Sequence, residues 1–283
     1  MPITAVISGS AAGNASERMA EDLLAALFSR KAGLYVLMIP HLYHVPENDR
    51  RIRQELSGIA GPVVFVSRLH PRPAEWLLRR RVSGPLLALD LRAYASPEEC
   101  FSAFRQSEFA RTHGEQTCVQ GCVREIGVDT AERWYPVIDY SRCVTCKQCS
   151  QFCLFGVYEV DDAGKVAVAQ PDNCKPGCPA CSRICPQGAI MFPLHSDHAI
   201  AGAPGKVMSP DPAAKAMFYA RTKRRCPVCG SEFAAGQAKP DANNVCPECG
   251  RQTADGRPAP GGRYASGAKG DLDSLIDDLE QLR

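Results

Sequence analysis

The sequence lacks any apolar run long enough to cross a bilayer. Its longest, around Tyr35 to Ile39 and Val63 to Val66, fall far short of the roughly 20 residues that a spanning helix needs. The opening MPITAVISGSAAGN also lacks a basic leader followed by an apolar stretch. Neither sign of charge dominates: 33 Lys and Arg face 31 Asp and Glu, a net of +2, which argues against a chain that coats nucleic acid. No cysteine occurs before Cys100 or after Cys249, so all 15 fall within that stretch, the two ends included. The expectation is a soluble, cytoplasmic chain, and in that reducing setting crowded thiols signal metal or redox chemistry rather than disulfides. The odd count supports this, because complete pairing within one chain is impossible. With 45% hydrophobic residues there is enough apolar material for a packed core.

The cysteine distribution marks the first boundary. Residues 1–110 alternate short apolar runs (Ile3 to Ile7, Leu34 to Ile39, Val63 to Val66, Leu86 to Leu89) with helical patterns (Ser16 to Ser29, Asp49 to Leu56, Ala74 to Arg80). Strand-length runs separated by helices predict β-α-β units and a small parallel α/β domain. In the first helix, Met19, Leu23, Leu24 and Leu27 are expected to form the buried face. Residues 111–139 read as a connector, 140–194 as a compact cysteine-dense unit, 195–225 as a linker and 226–250 as a second cysteine unit. The tail 251–283 is too rich in Gly and Pro at its start to build a core, and it ends in an acidic amphipathic pattern, DLDSLIDDLEQLR. The whole is therefore a multidomain chain of α/β and α+β parts.

Cys143, Cys146, Cys149 and Cys153 are separated by two, two and three residues, and Cys174, Cys178, Cys181 and Cys185 by three, two and three. Three closely spaced thiolates can hold three corners of an iron-sulfur cube, while a fourth farther along reaches another cube. Cys153-Leu154-Phe155-Gly156-Val157 is echoed by Cys185-Pro186-Gln187-Gly188-Ala189 at the same place in each half. On these motifs, residues 140–192 resemble a bacterial-type dicluster ferredoxin. The resemblance implies two [4Fe-4S] clusters: one held by Cys143, Cys146, Cys149 and Cys185, the other by Cys174, Cys178, Cys181 and Cys153. It further implies an electron carrier that passes single electrons between a donor and a redox partner protein, and no bond-making step of its own. Leu154 departs from the family pattern, in which proline follows the first set, and one extra residue separates Cys174 from Cys178. Taken as spacing alone, the eight cysteines also allow two zinc sites. The insert between the halves reads as a hairpin turning at Asp162-Ala163-Gly164.

Cys226-Pro227-Val228-Cys229-Gly230 and Cys246-Pro247-Glu248-Cys249-Gly250 repeat one knuckle, sixteen residues apart. Four thiolates so spaced suit a zinc ribbon, with a single rubredoxin-like iron as the lesser reading. The neighbouring Arg221, Lys223, Arg224 and Arg225 form a basic run that is more often solvated than bound to nucleic acid.

Ser10, Gly13 and Asn14 lie in a small-residue loop between a strand and a helix, where backbone N–H groups could cradle a phosphate. The loop is similar to the flavodoxin phosphate loop, which implies FMN and a flavin-dependent oxidoreductase with a built-in ferredoxin. A plain turn capped by Ser16 is the alternative. His41, His44 and His70 follow predicted strands, at the edge where α/β folds place ligands; they read as ligands of a metal or tetrapyrrole or, more commonly, as surface loop residues. A scaffold that recruits a redox enzyme through ribbon and tail is a third reading. Cys100, Cys118 and Cys122 stay outside every ligand set.

Overall fold

Alternating apolar residues place one face of each amino-terminal strand against each of two helical layers, as a period of two requires. The computed structural model describes residues 1–11, 13–114, 122–128, 130–208, 223–225 and 232–234. In it β1 (Thr4–Ser8), β2 (Tyr35–Ile39), β3 (Val63–Ser67), β4 (Leu86–Asp90) and β5 (Val123–Glu125) form a parallel sheet in the order β4-β3-β1-β2-β5. Helices α1 (Ala15–Ala26), α2 (Arg50–Ser57), α3 (Pro71–Arg79), α4 (Pro97–Gln106) and α5 (Glu108–His113) accompany it. Ile3, Ala5, Ile7, Val64 and Val66 pack on one face with Leu24, Phe28, Phe101 and Phe104. Val6, Leu37, Val63 and Phe65 pack on the other with Ile52, Leu56, Ala74 and Leu78. Both faces are covered, which is why these strands read as continuous apolar runs.

Three sequence expectations change here. The buried face of α1 is Glu21, Leu24 and Ala25, whereas Met19 and Leu23 are exposed. The chain continues past α1 as a π-helical turn, Leu27–Lys31, which brings Phe28 into the core. The cap of α1 is Asn14 and not Ser16: the Asn14 side chain accepts the Glu17 N–H at 2.8 Å and the Ser16 hydroxyl at 2.9 Å. Asn14→Ala should cost about 1 kcal/mol of stability, read from denaturant unfolding.

The cysteine-dense part consists of two hairpin-like pairs around two short helices. β6 (Val137–Ile138) pairs antiparallel with β9 (Ile190–Met191), and β7 (Tyr158–Val160) with β8 (Val166–Val168). α6 (Gln148–Phe152) and α7 (Ala180–Ile184) pack together through Phe152, Ala180 and Ile184. The turn between β7 and β8 carries Gly164 at φ 80, as its sequence predicts. Residues read as connector supply β5 to one sheet and β6 to the other. Those read as a linker begin with α8 (His198–Ala201), whose Ile200 is fully buried, and Gly202 (φ 83) closes it where a Cβ would lie 2.6 Å from Met191 Sδ.

The two parts share a core. One hydrophobic cluster joins Leu37, Phe65, Leu77 and Leu78 to Val137, Ile138, Val157, Met191, Phe192 and Ile200. Polar ties reinforce it: Arg72 donates to the Asp139 carboxylate at 2.6 Å and to the Gly188 carbonyl at 2.5 Å. The Tyr43 and Tyr135 rings stack with centroids 4.3 Å apart, and each hydroxyl donates to the other residue's carbonyl. β10 (Lys223–Arg225) and β11 (Glu232–Ala234) form a separate antiparallel pair.

Candidate metal centres and a cleft at the sheet edge

The first cysteine loop has a distinctive backbone geometry. Between Cys143 and Cys149, Thr145 (φ 53) and Lys147 (φ 62) adopt left-handed conformations, the only non-glycine residues among those described to do so. Such conformations are costly for residues with a Cβ and persist where the surroundings hold them, commonly at functional sites. Here they curl the loop so that Cys143, Cys146 and Cys149 line one cavity. Cys185, from the far end of the segment, lines the same cavity, with Ile138, Val166, Ala189 and Ile190 as its apolar wall.

The two short helices end alike. α6 ends on Cys153 (φ −70, ψ 113) and α7 ends on Cys185 (φ −68, ψ 115), so both helices leave through the same extended cap. Cys153 comes near Cys174, Cys178 and Cys181, and Cys185 comes near Cys149.

Burial first, and then the neighbouring thiols, pushes Cys149 and Cys174 up to about 12 and raises Cys178 and Cys181 as well. Without a cation these groups are therefore thiols, and coordination to a metal would deprotonate them. Among the described residues, no three His, Cys, Asp or Glu side chains converge tightly enough to hold a single ion. Donors to sulfur are already in place: Ala189 N–H to Cys185 Sγ at 3.3 Å, and Tyr158 O–H to Cys181 Sγ at 3.0 Å. Trp134 Nε1–H donates to the Cys178 carbonyl at 3.1 Å and stacks on Phe192 at 5.3 Å, fixing the loop that carries Cys178.

The remaining expected sites divide. Cys226, Cys229, Cys246 and Cys249 lie outside the described residues, as do Cys118 and the acidic tail pattern; β10 and β11 flank the first knuckle in sequence. Cys122 is exposed, its carbonyl accepting Val36 N–H at the sheet edge. Cys100 is fully buried beside Phe101, and burial together with Asp90 pushes its thiol up to about 12, so it is an inert packing residue.

Ser10, Gly13 and Asn14 do line a cleft, of about 650 Å³, at the carboxyl ends of β1, β2 and β5. They do not fit a flavin phosphate. The Ser10 hydroxyl donates to the Glu17 carboxylate, the Ser10 N–H serves Glu21, and the Glu17 N–H is taken by Asn14. An incoming phosphate would meet two carboxylates where it needs free donors. His41 and His44, read from sequence as surface loop residues in the commoner case, are instead buried in the same cleft. His70 is half-hidden beside Asp90, with Nδ1 to Oδ2 at 3.2 Å.

No known protein-family profile matches the chain. Over 61 residues, 21% of its length, it is 49% identical to an uncharacterised ferredoxin of Methanocaldococcus jannaschii. Over 55 residues, 19% of its length, it is 38% identical to pyruvate synthase subunit PorD of the same organism. The chain carries a ferredoxin-type segment. The chain spans 41% and 62% of the two relatives' lengths. Among the described residues no helix is long and apolar enough to cross a membrane.

Proposed function

We propose that the protein is an iron-sulfur electron carrier with two [4Fe-4S] clusters, serving a partner oxidoreductase. Cys143, Cys146, Cys149 and Cys185 would hold one cluster, and Cys174, Cys178, Cys181 and Cys153 the other. The observation that carries this reading is the exchange of the two helix-capping cysteines between the loops, an arrangement that a pair of independent mononuclear sites has no need of. When bound, such clusters supply reversible one-electron chemistry with every iron corner occupied by cysteine. The chain's own part is to exclude water with Val166, Ile190 and Phe192 and to set the potential through the N–H and O–H donors to sulfur. Val144, Cys146 and Leu154 are exposed beside the ligand loops and offer the approach for a partner. The names of the relatives, a ferredoxin and a subunit of pyruvate synthase, support a redox enzyme as that partner.

Residues 1–110 and the later strand β5 would then form an α/β unit, 140–194 the ferredoxin unit, and 226–250 a zinc ribbon held by Cys226, Cys229, Cys246 and Cys249. Anaerobically purified protein should contain about eight iron and about eight sulfide, with roughly one zinc, and take up about two electrons per chain in a reductive titration. The reduced protein should show the spectrum of two interacting paramagnets. Zinc without sulfide would overturn the assignment.

A further inference from the structure

The cleft at the edge of the parallel sheet plays no part in holding the clusters, yet it is built at a cost. After β2, the chain turns sharply over Pro40 to Val45: the His44 N–H bonds to the His41 carbonyl at 2.9 Å and the Val45 N–H to the same oxygen at 3.3 Å. This turn throws two imidazoles into the cleft with ring centroids 4.6 Å apart. His41 is 4% exposed and His44 6%, and neither His41 Nδ1 nor His44 Nε2 has a hydrogen-bond partner. A buried polar group left without a partner is costly, so two in one wall call for a ligand. Burial lowers both imidazoles, His41 to about 3, so each is neutral and keeps a lone pair.

The charges around the cleft largely pair off. Among the described residues Arg18 donates two hydrogen bonds to Glu125 at 2.8 and 2.7 Å, Arg68 lies 3.7 Å from Glu21, and Arg92 and Arg133 act on His41 and His44. Glu132 is the carboxylate that faces His44. Imidazole donors with carboxylates nearby suit divalent ions of the zinc, nickel and cobalt kind. Since no third donor among the described residues converges with the pair, the protein supplies two positions and the incoming ligand the rest. A cleft of about 650 Å³ is also far larger than a hydrated ion requires, at about 30 Å³ per water.

We propose that His41 and His44 are a two-imidazole binding point for a divalent transition-metal ion, carried into the cleft within a chelating organic molecule. The site is independent of the clusters and of the partner.

The test is equilibrium dialysis of the full, cluster-loaded chain against Ni²⁺ held by nitrilotriacetate, which leaves two positions open, and in parallel against Ni²⁺ alone. One equivalent of the chelated ion should bind, and His41→Gln or His44→Gln should weaken it by about 10- to 100-fold, with iron and sulfide unchanged. Free Ni²⁺ bound with the same dependence would support the imidazole site and assign it to the bare ion, removing the chelator. X-ray absorption at the nickel edge of the unaltered protein should show imidazole nitrogen and no sulfur, a readout that needs no variant to fold. A sulfur-dominated shell, or equal binding by both glutamine variants, would overturn the site.

Discussion

The double variant Cys143→Ser/Cys185→Ser is expected to retain about four iron per chain, while Cys143→Ser/Cys153→Ser retains almost none. Under the proposed ligand sets the first pair of changes falls on one cluster and the second pair on both. If each half of the segment held its own cluster, the two results would exchange. Each single change should lose about four iron, so the contrast lies in the doubles, where residues of one site fail to add and residues of separate sites do. The geometry behind the expectation is the closeness of Cys153 to Cys174 and of Cys185 to Cys149. Iron and acid-labile sulfide analysis of anaerobic samples reads the outcome directly.

The second large effect is expected at Arg72. Its guanidinium reaches from α3 to Asp139, which is 3% exposed, and to the carbonyl of Gly188. Burial would raise the Asp139 carboxyl, but hydrogen bonds from Ser141 and Arg72 outweigh it and hold the group below the usual carboxylate range. Arg72→Met leaves a buried carboxylate without its cation and should cost about 3–5 kcal/mol, measured as a shift of the denaturant midpoint with the clusters in place. Arg72→Met/Asp139→Asn should recover much of that loss. Because the folded carboxyl titrates below its unfolded value of about 3.9, its contribution is present above that pH and is lost as pH falls through the folded value. The acid limb of the stability profile below about pH 4 should therefore flatten in Asp139→Asn.

What was legible in the sequence was local. Strands β1 to β4 showed themselves as runs of Val, Ile and Leu, and the cysteine-rich loops as fixed spacings, because each is a property of a few consecutive residues. α4 was missed although Ser96, Pro97 and Glu99 form a helix start, since its polar residues hide the spacing of Cys100, Phe101 and Phe104. β5 was missed for a different reason: Val123, Arg124 and Glu125 are all exposed at an edge, so no apolar pattern records them. The burial of His41 and His44 depends on residues brought from far along the chain, Ile126, Glu132 and Leu194 among them. Nothing within the turn itself announces that. The face of α1 was misjudged because Glu21 takes an inward position through Arg68 and Ser10, which only the fold supplies.

The common core of sheet and cysteine-rich segment also bears on how this molecule can be taken apart. An excised fragment beginning at Tyr140 would forfeit β6, bare Met191 and Phe192 to water, and leave the Gly188 carbonyl without the Arg72 guanidinium that caps it. Dissection by truncation would thus report on a damaged surface, and protease nicking should spare the 137–140 junction long after loop tips such as 162–164 have been cut.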